Sequence, residues 1–239
     1  MVRSSRRKVT FISLLRVALA FPVLWGLPGL SAPADKKTSS NAYPAEWAER
    51  DEWQRPEEVM DDLRLRTGSQ VADVGCGEGY FTYHLAERVG PQGRVYAEDI
   101  QPELIRALWH QALNRWLVQV RPVLGEEDNP HLPRQRLDAV LLVHSYHEMH
   151  PHVALLKAFY RALRPGGLLG IIEYAAPDNL PREESYTRHQ IPLHTVREEI
   201  TAQGFEFVSR RPDFHVPNRS WGRDQYFLLF EKPDGSGSE

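Results

Sequence analysis

The chain predicts an α/β domain built on a parallel sheet with helices on both faces. Three observations carry that reading. Apolar runs of strand length alternate with stretches of helical periodicity, the first such pair is joined by a glycine-rich turn, and the last two strand-like runs have no helix between them. Strands separated by helical crossovers must run parallel, whereas the final pair, 205–209 and 225–230, must be antiparallel.

Trp47, Trp53 and the segment 56–65 predict an initial helix with Val59, Met60 and Leu63 inward and Pro56 in its first turn, covering the sheet edge or the mouth of a site. A short apolar strand follows at 71–74. Residues 80–89 then place Phe81, Leu85 and Val89 on one helical face. Next come a strand at 93–100 that ends in acids, a helix over 102–117 and a strand over 118–123. Residues 137–143 read as a strand, 153–163 as a helix and 164–174 as a turn entering another strand. A helix over 195–203 precedes the antiparallel pair. No internal repeat and no second domain are visible.

With 239 residues, 41% hydrophobic and 26% charged, the chain has the composition of one globular domain with a core of useful size. A formal net charge of −3 argues against an electrostatic nucleic-acid binder. The single cysteine, Cys76, forms neither an intramolecular disulfide nor a cysteine-based metal cluster, and its place in the glycine turn suggests a small packing residue.

Residues 1–34 read as an export signal. Arg3, Arg6, Arg7 and Lys8 precede the apolar stretch 9–30, and Ala32-Pro33-Ala34 supplies the small residues of a cleavage site. The alternative is an uncleaved inner-membrane tether, against which Arg16, Pro22, Gly26, Pro28 and Gly29 count. Residues 5–9 partly resemble a twin-arginine signal. The polar stretch 35–44 reads as a linker, 45–233 as the folded domain and 234–239 as a tail, so the domain is expected to be exported, to the periplasm.

The most informative segment is Val71-Ala-Asp-Val-Gly-Cys-Gly-Glu-Gly-Tyr-Phe-Thr82. Glycines let the backbone turn tightly and approach a ligand, and the helix that follows offers unpaired amides to it. Dinucleotide sites use such a turn with the spacing Gly-x-Gly-x-x-Gly, but here the third glycine comes one residue early. The spacing Gly-x-Gly-x-Gly with Asp73 two residues ahead resembles motif I of the class I S-adenosylmethionine-dependent methyltransferases. Asp99-Ile-Gln-Pro-Glu103 resembles the acid that meets ribose hydroxyls in that family, and 137–143 and 164–174 resemble its fourth strand and its helix-to-strand turn with the fifth. These four ordered motifs cover roughly 55–233. They imply a Rossmann-like, doubly wound sheet of seven mostly parallel strands with one antiparallel strand near the edge.

The resemblance implies S-adenosyl-L-methionine as cofactor. It places Asp73, Gly75, Cys76, Gly77, Gly79 and Tyr80 against the methionine end, Asp99 and Ile100 at the ribose, Asp128 near adenine and His144 at the mouth. Asp73 has a plainer reading as a strand-end acid capping amides, Glu98 is the fallback for Asp99, and the loop 125–133 also reads as a solvated acidic loop.

The cluster His144-Ser-Tyr-His-Glu-Met-His-Pro-His152 follows the fourth strand, where open parallel sheets bind ligands. The resemblance puts Tyr146 and His147 against the substrate, with His147 as a general base beside Glu148 if the acceptor carries a proton. His147-Glu-Met-His150 lacks the extra residue that would set both histidines on one helix face for zinc, and no complete metal-ligand set is apparent. Tyr186, His189 and His194 are candidates for the acceptor pocket. The expected activity is methyl transfer to a small molecule. A carrier or sensor that binds the cofactor without transfer is the alternative, and a nicotinamide-dependent oxidoreductase is disfavoured by the early glycine.

Overall fold

The computed structural model describes residues 44–211, 214 and 224–235. The expected export signal at 1–34 and most of the linker lie outside these residues. Two short helices, α1 (Ala45–Gln54) and α2 (Pro56–Asp62), precede the sheet. The sequence predicted one helix here. The break falls at Arg55, which is left-handed at φ 46°, immediately before Pro56 opens α2 in its first turn.

The sheet strands are β1 (Gln70–Val74), β2 (Arg94–Asp99), β3 (Val120–Leu124), β4 (Leu137–Val143), β5 (Leu163–Tyr174), β6 (Glu206–Arg211) and β7 (Gln225–Glu231). Their order is β3-β2-β1-β4-β5-β7-β6. All pairings from β3 through β5 are parallel, and β7 runs antiparallel to both β5 and β6. The seven-stranded sheet with one reversed strand next to the edge is therefore the one the motifs implied. The crossover helices are α3 (Tyr80–Val89), α4 (Pro102–Asn114), α5 (His152–Ala162), the four-residue α6 (Ser185–Arg188) and α7 (Leu193–Thr201). α4 stops three residues short of the predicted end, and β3 begins after Trp116 has turned left-handed at φ 57°.

Alternation along the strands divides the core in two. Val71, Ala139, Leu141, Leu168, Ile172, Phe227 and Leu229 face the side covered by α2, α3 and α4. Ala72, Val74, Val140, Leu142, Leu169, Ile171, Leu228 and Phe230 face α5 and α7. Both faces being covered, β4 is apolar without interruption over 139–143 and β5 over 168–172, and the acid that follows in β5, Glu173, is fully buried. From β1 the chain winds outward to β2 and β3 on one side, then returns to lay β4 on the other. The carboxyl ends of β1 and β4 thus diverge at the switch point of the sheet, where a crevice must open.

Candidate active site

A crevice of about 610 Å³ opens there, lined by Val74, Gly75 and Gly77 from the first turn, Glu98 to Gln101 from the end of β2, Glu126 and Glu127 after β3, and His144, Ser145 and Glu148 to Pro151 after β4. The glycine turn is its floor. Gly75, Gly77 and Gly79 all have positive φ, at 69°, 54° and 87°. The turn is pinned by the Cys76 amide donating to the Glu98 carbonyl at 2.9 Å and the Gly79 amide donating to the Cys76 carbonyl at 2.9 Å. The three glycines have different reasons to be glycine. A Cβ on Gly75 would lie 2.6 Å from Cβ of Ser145, and one on Gly79 would meet Leu108 and Tyr83 at 2.6 and 3.1 Å. A Cβ on Gly77 meets nothing within 4 Å and would project into open space.

Gly75→Ala is accordingly expected to lower unfolding free energy by about 3 kcal/mol, from left-handed strain plus a contact with a Cβ that has no rotamer to yield. Gly77→Ala is expected to cost about 1 kcal/mol while filling ligand space. Denaturant melts of the two variants check this, and equal losses would show that the space over Gly77 is not what keeps it glycine.

Two neighbouring acids end β2 and play different parts. Asp99 is buried, with Oδ2 accepting the Gly77 amide at 3.0 Å and Oδ1 accepting the Gln101 amide at 2.9 Å. Glu98 faces the other way and packs its carboxyl against Gly125, so closely that a Cβ there would collide with it. Burial raises its pKa to about 8, the charges of Asp99 and Asp73 add to the shift, and a Gly75 amide opposes it. At neutral pH Glu98 is therefore largely protonated.

Beneath the glycine turn a second pocket of about 200 Å³ is lined by Trp47, Arg50, Asp73, Cys76, Glu78 and Tyr80 among others. Arg50 comes from α1, with its guanidinium 3.9 Å from the centroid of the Tyr80 ring. Its Nε is buried and has no hydrogen-bond partner among the described residues. Burial lowers its pKa from the usual arginine value, against the pull of Tyr80, Tyr174, Asp73 and Glu78. Asp73 is buried and accepts from the Thr82 hydroxyl at 2.6 Å. Burial raises its carboxyl to about 6, with the Thr82 bond and the Arg50 charge pulling the other way. The Tyr80 hydroxyl donates to Asp51 at 2.6 Å, which ties α3 to α1. Burial and the neighbouring acids push the Cys76 thiol up, so it stays protonated and packs as a small apolar residue.

After β4, His144 is left-handed at φ 54° and its ring stacks on Tyr174 with centroids 3.9 Å apart. The Gln54 amide donates to its Nε2 at 3.0 Å. Burial first, then the charge of Arg50, lowers its pKa to about 3, so His144 is a neutral wall. Ser145 donates to the Val74 carbonyl at 3.0 Å and clips β4 to β1. A tight 3₁₀ turn, Tyr146–Glu148, follows. Arg182 fastens this turn by donating to the carbonyls of His147 and Met149 at 3.2 and 2.9 Å, and to Glu199 at 3.0 Å. Within the turn, His147 is 2% exposed, with Nδ1 2.9 Å from Glu173 Oε2 and its backbone amide donating to Glu173 Oε1 at 3.1 Å.

Residues 71–167 match the family model of a methyltransferase domain. A demethylmenaquinone methyltransferase of Geobacillus sp. (strain WCH70) is 29% identical over 121 residues, 51% of this chain and 52% of that protein. Nocamycin O-methyltransferase of Saccharothrix syringae is 35% identical over 123 residues, 51% of this chain and 44% of that one. The chain thus spans about half the length of the curated relatives it matches. In fold it is similar to a SAM dependent methyltransferase from Aquifex aeolicus, with TM-score 0.65 and 23% identity over 80% of this chain and 99% of that one. Residues 71–167 are thus similar to a methyltransferase domain and the fold to that of a SAM dependent methyltransferase, and both support S-adenosylmethionine as the cofactor.

The geometry fits it. The orphaned Nε of Arg50 and the carboxylate of Asp73 present one cation and one anion to the pocket beside the turn, as an amino-acid end requires. Open space lies over Gly77, and Asp99 retains lone pairs for a ribose diol after accepting two amides. Of the residues singled out by sequence, Gly75, Gly77, Asp99, Ile100, His144 and Tyr186 line the main crevice, while Asp73, Cys76 and Tyr80 line the smaller pocket with the two glycines.

Five expectations are corrected. Gly79 lines neither space and serves as the left-handed cap of α3 packed on Leu108. Asp128 is exposed in the turn closed between Glu126 and Asn129, and its neighbours Glu126 and Glu127 line the crevice instead. Tyr146 is fully buried on the α5 and α7 face, its hydroxyl donating to Glu199 at 2.7 Å. His194 faces Asp178 at 3.7 Å, away from the lining of either space. His147 does not line the crevice but abuts Glu148, which does. Arg50 and Glu173 were missed altogether. A lone acid inside the apolar run 168–172 and its extension was the available signal for Glu173; Arg50 had none, because its partners come from elsewhere in the fold.

Proposed function

We propose that the protein is an S-adenosylmethionine-dependent methyltransferase acting on a small-molecule acceptor, exported under its N-terminal signal. The observation that carries the reading is the half-buried Arg50 and the buried Asp73 lining one pocket beside the glycine turn, with the buried arginine Nε lacking a hydrogen-bond partner among the described residues. A cation with a buried, unmet donor marks a site for an anionic group, and a zwitterionic amino-acid end satisfies both side chains at once.

When bound, the cofactor would supply an electrophilic methyl group on a sulfonium ion. The protein then has mainly to orient and to exclude water. Arg50 would take the carboxylate, Asp73 the ammonium group and Asp99 the ribose hydroxyls. Ile100, 52% exposed on the crevice lip, offers an apolar face to a base. Across from these, Met149, Pro151, Leu155 and Tyr186 give the other wall an apolar and aromatic character suited to a small organic acceptor. The names of the demethylmenaquinone and nocamycin relatives agree with an acceptor of that kind.

Calorimetric titration of the full chain with S-adenosylmethionine, S-adenosylhomocysteine and NAD tests the reading. Micromolar binding of the first two and none of NAD is expected. Arg50→Met keeps an apolar stem over Tyr80 and removes the charge, and is expected to weaken binding ten- to a hundredfold, the worth of one charge-assisted bond. Tighter binding of NAD, or no binding by folded protein, would reject the assignment.

A further inference from the structure

The side of the crevice after β4 holds a set of donors that the proposed function does not use. His147 Nε2 is buried, in a residue 2% exposed, and has no hydrogen-bond partner among the described residues. Its proton is placed by Glu173. That carboxylate, itself fully buried, accepts the His147 backbone amide on Oε1 at 3.1 Å and meets Nδ1 with Oε2 at 2.9 Å. A carboxylate in that position accepts from both, so the imidazole proton sits on Nδ1 and Nε2 turns an unshared lone pair outward. A histidine oriented through one nitrogen by a carboxylate, with the other nitrogen directed at a cluster of donors, is the arrangement that prepares a metal ligand.

The donors it faces are Glu148 and His189. Glu148 Oε1 lies 3.6 Å from His147 Nε2 and 3.6 Å from His189 Nδ1. The two imidazoles stand edge-on, with centroids 5.5 Å apart and planes at 88°. One ligand atom from each of the three residues lies within 4.8 Å of the others. Metal–ligand bonds of about 2.0–2.1 Å in a tetrahedron separate the donors by roughly 3.4 Å, so the two separations from Glu148 need to close by only a few tenths of an ångström. The turn bearing His147 and Glu148 is held by Arg182, whose own charge is matched by Glu199.

We propose that His147 Nε2, the Glu148 carboxylate and His189 Nδ1 form a binding site for a divalent cation of the zinc class, on the wall of the crevice. Two imidazoles and one carboxylate are a borderline donor set that suits zinc better than magnesium or calcium. Three protein ligands leave a fourth position for water or another oxygen ligand. Because Glu148 also lines the main crevice, that position is available to what the crevice binds. If the methyltransferase reading holds, the cation would sit where an acceptor oxygen can reach it. The site itself stands independently of that reading. The linear pattern gave no hint of it, because the third donor comes from the left-handed residue after α6, far along the chain.

Titration of metal-free full-length protein with zinc chloride, in competition with a chromophoric chelator, tests the site. One equivalent is expected to bind. His189→Asn, a residue tolerated in the left-handed region, and Glu148→Gln are each expected to weaken binding at least tenfold. Glu173→Gln gives a sharper signature. The amide oxygen must take the His147 backbone N–H, its NH2 then donates to Nδ1, and the imidazole proton moves to Nε2, which can no longer ligate. Loss of zinc affinity by ten- to a hundredfold, with a tautomer change visible in nitrogen NMR of His147, is expected. Wild-type protein that fails to bind one equivalent, or zinc affinity unchanged in both His189→Asn and Glu148→Gln, overturns the site. Cofactor titration of the same samples is read separately: zinc bound without cofactor would reject the methyltransferase reading and leave the cation site standing, and the converse would do the reverse.

Discussion

An Asp99→Ala variant is expected to bind S-adenosylmethionine at least a hundredfold more weakly than the wild-type chain. The carboxylate accepts the Gly77 amide at 3.0 Å and the Gln101 amide at 2.9 Å, and so ties the tip of the glycine turn to the start of α4. Each is a charge-assisted bond worth about 1.5–3 kcal/mol, and alanine removes both along with the acceptors for ribose hydroxyls. Asparagine is no substitute, because its NH2 group must face one of the two amides as donor against donor. Asp99→Asn should therefore resemble Asp99→Ala, a pattern that simple loss of ribose contacts would not give. Calorimetry decides, with thermal unfolding of the free variants as a control for folding. Affinity within threefold of wild type in either variant would show that Asp99 is not at the ligand.

Glu98→Gln is expected to stabilise the protein at alkaline pH by as much as about 4 kcal/mol, since each tenfold difference in proton affinity between folded and unfolded chain is worth roughly 1.4 kcal/mol. Burial raises the Glu98 carboxyl to about 8 from an ordinary 4.5. A folded-state pKa above the unfolded one means that the folded chain holds a proton the unfolded chain has released. The associated stability is complete below about pH 4.5 and is lost as pH rises through about 8. Glutamine mimics the protonated acid at every pH. Urea melts between about pH 6 and pH 9 are expected to show wild-type stability falling while the variant stays nearly level. Asp73, raised to about 6, adds a decline at lower pH that both proteins share. Parallel profiles over that range would mean that Glu98 is already ionised in the folded state.

The fold was legible because it is written in local periodicity. Strands buried on both faces appear as unbroken apolar runs such as 139–143, helices as a face of Phe81, Leu85 and Val89, and the switch point as glycines between them. Much of the lining of the two spaces was legible for the same reason, since Gly75, Gly77, Asp73 and Asp99 belong to strand ends and turns of fixed spacing. What could not be read depends on contacts between distant segments. Tyr146 follows a strand end and so looked like part of the mouth, yet the 3₁₀ turn swings its ring inward, where Glu199 from α7 accepts its hydroxyl. Asp128 sits among three acids whose outward or inward direction is set by a two-residue bridge. His147 drew notice as a possible base, but its partner Glu173 lies on β5, beyond the reach of any local pattern.

Helix α1 brings Arg50 to the ligand pocket while being fastened mainly by side chains, Trp47 against Tyr80 and Tyr83, Asp51 to the Tyr80 hydroxyl and Gln54 to His144. An element attached in this way can detach at a free-energy cost well below that of global unfolding. Ligand residence time would then be governed by how often α1 lifts, and a tightly held ligand would in turn slow hydrogen exchange along a helix that belongs to neither the sheet nor the matched domain.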